Sequence, residues 1–314
     1  MTPNKFKNMK FEQLSRALSE PALITPEAHR GLQKLFAGFV SGGGVMKTPS
    51  ADELAEWKRL AKAESNPARF SMEDDDAEND CEDEYIPGPV RFISVRGVLM
   101  RNPGILQELC MGACSLARIQ RQVTEYANDP TCQMIVLNFD TPGGSVGGTL
   151  EAAHAIARAA MVKPVVSIIQ GQCCSAGYFL ASQSTMIISD PSSLTGSIGV
   201  YIAYLDDSSA MSKAGFAWEV FRAGEHKAAG LGRPLTKIER AQIQTLVDQA
   251  YVQFTDAVIS GRGPIDSAVM QGQVFTAADA LENGLIDAIE DDVPGFLSGL
   301  VSDPNYLAKV FSGE

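Results

Sequence analysis

From Val90 onward the chain alternates short apolar runs with helix-forming stretches, and this alternation restricts the fold more than any other feature. Met134–Phe139 (MIVLNF) and Val165–Gln170 (VVSIIQ) are nearly continuous in apolar residues, as strands covered on both faces require. Met186–Ser189 is a shorter run of the same type, and Val90–Val95 is a further strand candidate. Helical stretches lie between them. Ser115–Asn128 ends at Asp129-Pro130, and the alanine-rich Gly148–Met161 is broken at Lys163-Pro164. Strands and helices in this order imply α/β units with largely parallel pairing. Farther on, Thr236-x-x-Glu239 is a capping box that opens a long helix to about Ser260. Ile243, Leu246, Val247, Ala250, Phe254 and Val258 give that helix a continuous apolar face.

The sequence before Val90 has a different character. Residues 1–70 read as a small helical region, with Thr25-Pro26-Glu27 supplying an N-cap, a first-turn proline and a first-turn acid. Residues 71–89 read as an acidic linker. Within it Glu73–Glu84 carries nine carboxylates and no base, which accounts for most of the net charge of −12. The remainder is nearly balanced and has no broad basic surface for nucleic acid. Six cysteines (Cys81, Cys110, Cys114, Cys132, Cys173, Cys174) form no paired CxxC units, so neither a zinc site nor a disulfide scaffold is expected. No apolar run approaches membrane-span length, and the N-terminus lacks the apolar core of a secretory signal. A soluble protein retained in a reducing compartment is expected, with no metal and no cofactor.

Two turns at the carboxyl ends of predicted strands carry the chemistry. Asp140-Thr-Pro-Gly-Gly-Ser-Val-Gly-Gly148 places paired glycines where backbone N–H groups can meet an anionic oxygen. The same residues also suit a tight strand-to-helix turn, and no phosphate-loop lysine follows them. Gly171-Gln-Cys-Cys-Ser175-Ala-Gly-Tyr-Phe179 places Ser175 at a helix start, where it reads either as a nucleophile beside a helix dipole or as a plain N-cap. Cys173 and Cys174 read as small core residues. The three histidines, His29, His154 and His226, have no telling context. Lys227 lies in a small-residue segment, Ala223–Arg233, and reads as an exposed loop lysine or as a base. A lysine base must be neutral, yet only about one in 2,500 ordinary lysines is so at pH 7. Burial must therefore supply roughly 4–5 kcal/mol against the charged form.

Five ordered segments decide between these readings: MIVLNFDTPGGSVGG, KPVVSIIQGQCCSAGYFLAS, SSLTGSIGV, RAGEHKAAGLGRPLT and VFTAADALENGLIDAI. The series closely resembles the signal peptide peptidase A family of serine-lysine peptidases over about residues 90–292. The resemblance implies a Clp protease/crotonase-type fold of repeated β-β-α units, followed by a C-terminal tail over residues 293–314. It implies Ser175 as nucleophile and Lys227 as general base. It also implies an oxyanion hole from Gly144 and the Ala176 N–H, and Ser197 as the residue that orients the lysine. Cys174 stands where that family commonly has alanine, and Ala228 where aspartate is frequent. The segment from Glu20 to Ala28 (EPALITPEA) resembles the N-terminal region of phage head-maturation proteases. The expected function is a soluble serine endopeptidase acting on scaffold, capsid or portal proteins in the host cell or procapsid. A homo-oligomer with sites shared between subunits is expected. The alternatives are a crotonase-like acyl-CoA enzyme and a non-enzymatic capsid assembly protein.

Overall fold

The computed structural model describes residues 22–24, 89–104, 107, 112–303 and 306. The expected helical region and acidic linker lie outside these residues, apart from Pro89 and from Ala22–Ile24, which is a strand rather than helix. In chain order the elements are β1 (Ala22–Ile24), β2 (Val90–Arg96), β3 (Leu99–Met100), β4 (Cys114–Ser115) and α1 (Leu116–Asn128). Next come β5 (Met134–Thr141), β6 (Gly143–Ser145), α2 (Thr149–Ala160), β7 (Val165–Cys174) and α3 (Ala176–Ala181). They are followed by β8 (Met186–Ser189), β9 (Leu194–Gly196), α4 (Ser208–Lys213) and α5 (Lys237–Arg262). The last are β10 (Val274–Thr276), α6 (Ala277–Glu282), β11 (Ala288–Ile289) and α7 (Val293–Ser302).

Two sheets organise the chain. The larger runs β10-β9-β7-β5-β2, with β8 paired to β7 and β11 to β8, and every pairing except β10–β9 is parallel. The smaller runs β1-β6-β3-β4. Long strands β2 and β5 each lead into short strands of the smaller sheet and then a helix, so the expected β-β-α repeat is present. One face of the large sheet packs Ile135, Leu137 and Phe139 with Leu116, Ile119 and Val123 of α1 and the alanines of α2. The other packs Met134, Val136, Val166 and Ile168 with Val293, Phe296 and Leu300 of α7. Burial on both faces explains why these strands read as continuous apolar runs. It also corrects the expectation of a C-terminal tail from residue 293, because α7 forms the cover of that second face.

Strand β7 is ten residues long and works as the spine. Along one edge it pairs first with β8 and then, from Gln172 to Cys174, with β9. Its end feeds α3, whose six residues are all buried. Phe179 of α3 stacks on Phe254 of α5 at 4.8 Å, and Tyr178 donates its buried hydroxyl to the Leu285 carbonyl at 2.8 Å. Gly261 lets α5 close on α3, since a Cβ there would lie 1.9 Å from the Ser182 carbonyl oxygen. The apolar face expected along α5 is covered unevenly: Phe254 and Val258 are buried, whereas Leu246 is exposed and Ile243, Val247 and Ala250 are half-buried. A helix of 26 residues spans about 39 Å, and only its C-terminal part reaches α3.

Candidate active site

Ser175 sits at the junction of β7 and α3 with φ 53° and ψ −117°, a conformation that side-chain-bearing residues seldom adopt. Its N–H donates to the Gly196 carbonyl at 2.7 Å, and its own carbonyl accepts from Phe179 N–H at 2.9 Å. The backbone is therefore held from both sides. Ser175 occupies the N-cap position of α3, as one reading of the sequence had it, but its hydroxyl makes no capping bond. The residue is 1% exposed. Beside it, burial raises the Cys173 thiol and pushes that of Cys174 up to about 12, which suits neutral core groups.

Ser197 is brought to the same place by β9. Cys174 pairs with Gly196, and Ser197 follows directly with φ 53°. Its N–H donates to the Gln273 carbonyl at 2.6 Å. Gln273 is itself anchored, donating Nε2 to the Ala268 carbonyl and accepting from Gln271 N–H at its Oε1. These carbonyl clamps, from Gly196 and Gln273, carry no side-chain signature and were not expected from the sequence.

The glycine turn becomes β6. Gly144 pairs with Leu99 of β3 and with Leu23 of β1. A Cβ on Gly144 would lie 1.8 Å from the Leu99 carbonyl oxygen, so only glycine fits. Thr141 sets the turn: its hydroxyl donates to the Gly97 carbonyl at 2.6 Å and accepts from Gly143 N–H at 3.1 Å. Thr141 also pairs with Cys173, and α3 packs against β6, so the glycine strand and the Ser175 elbow are neighbours. The Ala176 N–H opens α3 as one of its unpaired first-turn donors and has no acceptor among the described residues.

Lys227 is exposed in the turn-rich segment between α4 and α5, and among the described residues no hydrogen bond or ion pair joins it to Ser175 or Ser197. The next residue, Ala228, has φ 60°. The far end of the segment is pinned firmly: Arg233 grips Glu239 through two bonds of 2.8 and 2.7 Å, and Tyr204 donates to the Gly230 carbonyl at 2.7 Å. The Arg233 guanidinium, then the Thr236 amide, hold the Glu239 carboxyl down at about 2. Large apolar side chains surround this segment in sequence and face outward, among them Leu205 (82% exposed), Phe221 (88%), Phe216 and Trp218. His154 and His226 are exposed.

Fold and site together define a class: a parallel-sheet α/β domain that carries a serine on a strained strand-to-helix elbow beside a glycine strand. Residues 157–292 match the model of Peptidase family S49. The chain is 27% identical over 280 residues to capsid assembly protease C of Escherichia phage lambda, covering 88% of this chain and 62% of that protein. It is 29% identical over 286 residues to a head-tail preconnector protein of Enterobacteria phage P21, covering 88% and 54%. A third relative, protease 4 of Salmonella typhi, is 31% identical over 176 residues, covering 54% and 28%. The chain thus spans less than two thirds of each of these relatives. Among solved structures, a membrane-bound stomatin-specific protease in complex with a substrate peptide aligns at TM-score 0.44 and 15% identity, covering 67% of this chain and 79% of that one. Among the described residues no helix is long and apolar enough to cross a membrane.

Proposed function

We propose that the protein is a serine endopeptidase whose nucleophile is Ser175 and whose general base is Lys227 of a neighbouring subunit, acting on capsid, scaffold or portal proteins during phage head maturation. One observation carries the reading. Among the described residues three non-glycine residues have positive φ, and they are Ser175, Ser197 and the residue after Lys227. Backbone strain of this kind persists only where the surroundings enforce it, and it gathers at active sites. The two phage relatives, a capsid assembly protease and a head-tail preconnector protein, support the substrate class and a place in the host cell or procapsid. They also favour peptide hydrolysis over acyl-CoA chemistry, which needs no serine-lysine pair.

In the proposed reaction Ser175 Oγ attacks the scissile carbonyl carbon while Lys227 Nζ takes its proton. The N–H groups of Gly144 and Ala176 hold the oxyanion. Collapse expels the amine, which takes the proton from Lys227 and leaves an acyl-enzyme ester on Ser175. Water then attacks the ester with Lys227 again as base, and the acid product leaves. The exposure of Lys227 within one chain supports a shared site, because a neighbour covering its apolar surroundings would supply the desolvation a neutral lysine needs. Ser197 then orients the incoming neutral amine.

Mixing inactive Ser175→Ala with inactive Lys227→Ala tests this reading, because mixed contacts contain one intact serine facing one intact lysine. Partial return of casein hydrolysis is expected. No return after verified subunit exchange, or full activity of a monomer at nanomolar concentration, would refute the shared site. Co-expression with neighbouring capsid genes, followed by mass spectrometry of the cut products, identifies the substrate.

A further inference from the structure

We infer that the outer edge of β6 is a docking edge for an extended peptide, and that the chain's own Ala22–Ile24 is its resident occupant, seated on the Gly144 amide. The functional meaning rests on the peptidase reading; the occupancy rests on backbone geometry. Strand β1 runs antiparallel to β6 with Ala22 opposite Ser145, Leu23 opposite Gly144 and Ile24 opposite Gly143. In such a ladder, residue pairs that exchange hydrogen bonds alternate with pairs that do not.

The phase of that alternation can be worked out. Gly143 N–H is committed to the Thr141 hydroxyl, which in turn donates to the Gly97 carbonyl. Gly97 lies two residues before Leu99 of β3, so the backbone groups of Gly143 face the β3 side. Backbone groups of successive strand residues point to opposite edges. The N–H and carbonyl of Gly144 therefore face β1, and Leu23–Gly144 is the hydrogen-bonded pair. Gly144 N–H, the donor assigned to the oxyanion, is thus directed at the Leu23 carbonyl oxygen.

The edge cannot retreat from this occupant. Gly144 is pressed against the Leu99 carbonyl on its other side, so β6 has no room to move toward β3. The occupant, by contrast, is short. It is three residues long, and Pro21 and Pro26 beside it lack the N–H needed to extend the ladder. A strand held by so few bonds is displaceable, and main-chain pairing at a sheet edge is a general mode of peptide capture. A substrate backbone lying on β6 must evict Ala22–Ile24 and inherit its hydrogen bonds. Residues 22–24 would then act as a competitive plug that only a well-matched or locally concentrated substrate removes.

The test uses the full chain carrying Ser175→Ala, so that binding is read without turnover, and a fluorescein-labelled peptide copying residues 19–27 (SEPALITPE). Leu23→Pro deletes the N–H that pairs with the Gly144 carbonyl. Loss of the resident strand is expected to tighten peptide binding by about tenfold in fluorescence anisotropy. A second variant with glycine at positions 22, 23 and 24 keeps every N–H but weakens the strand, and shifts binding the same way. Unchanged or weaker binding in both variants overturns the inference. Failure of the peptidase reading shows separately: with Ser175 intact, neither the parent nor Leu23→Pro would hydrolyse casein, whatever the anisotropy reports.

Discussion

Replacing the candidate nucleophile should stabilise the protein, provided the replacement is glycine. At φ 53° and ψ −117° Ser175 occupies a region open chiefly to glycine, and holding a side-chain-bearing residue there costs about 1–3 kcal/mol. Glycine removes that strain but gains freedom in the unfolded chain, which offsets about 0.5–1 kcal/mol. Ser175→Ala is the reference, because it deletes the same hydroxyl and keeps the strained Cβ. The hydroxyl makes no capping bond, so its loss contributes little to the comparison. Ser175→Gly should therefore exceed Ser175→Ala by about 1 kcal/mol. For a domain of about 200 residues that is a rise of roughly 2–4 °C in Tm.

Both variants should be inert on casein, so stability and activity move in opposite directions at one residue. The measurement is paired urea and thermal unfolding at one fixed protein concentration, since any self-association makes the midpoint concentration-dependent. Equal urea m-values would show that the same surface is exposed in both. A Ser175→Gly chain no more stable than Ser175→Ala would mean that the elbow carries no strain. The clustering of positive φ at the candidate site would then lose its force as an argument for function.

Further outcomes follow from neighbouring geometry. Gly144→Ala should cost about 1–3 kcal/mol by overpacking and abolish hydrolysis, as the new methyl meets backbone that cannot swing aside; urea unfolding and a casein assay check both. Glu239 is held at about 2 when folded against an ordinary 4.5, so its bonds to Arg233 and Thr236 contribute stability fully above about pH 4.5. That contribution fades as pH falls toward 2, so Glu239→Gln should flatten the acid limb of a stability profile between those values.

What could be read from the sequence was whatever burial writes into residue type. Met134–Phe139 and Val165–Gln170 were legible because both faces of those strands are covered, although β7 continues four residues farther to Cys174 along β9. The α7 cover was missed because Pro294, Gly295 and Gly299 resemble tail composition. In the structure Pro294 occupies the first turn, where its missing N–H is harmless, and Asp292 accepts from Gly295 N–H at 3.0 Å. Ala22–Ile24 reads as part of a helical region since the four residues between Pro21 and Pro26 are too few to show a period, and the pairing with β6 spans over a hundred residues of chain. Ser175 was visible as a residue but not as an elbow, because φ is imposed by the Gly196 carbonyl and leaves no mark on composition. Lys227 was legible as a candidate from its small-residue segment, but only the family resemblance favoured a base over an exposed loop lysine, and a single chain leaves it exposed.

That exposure and the apolar residues near it bear on one energetic question. A lysine made neutral at pH 7 needs about 4–5 kcal/mol of bias. Leu205, Phe216, Trp218 and Phe221 stand outward in the segment leading to Lys227, and the N-terminal part of α5 leaves Leu246 uncovered beyond it. Because the first four are between 56% and 88% exposed, covering them contributes about 4–9 kcal/mol at about 1.5–3 kcal/mol for a whole side chain. The burial available is thus of the same size as the bias required. A water-exposed lysine on a lone loop has no such source. If Lys227 is the base, the energy that activates it would come from assembly, and an isolated subunit would carry Ser175 on its elbow without the desolvated lysine the proposed reaction needs.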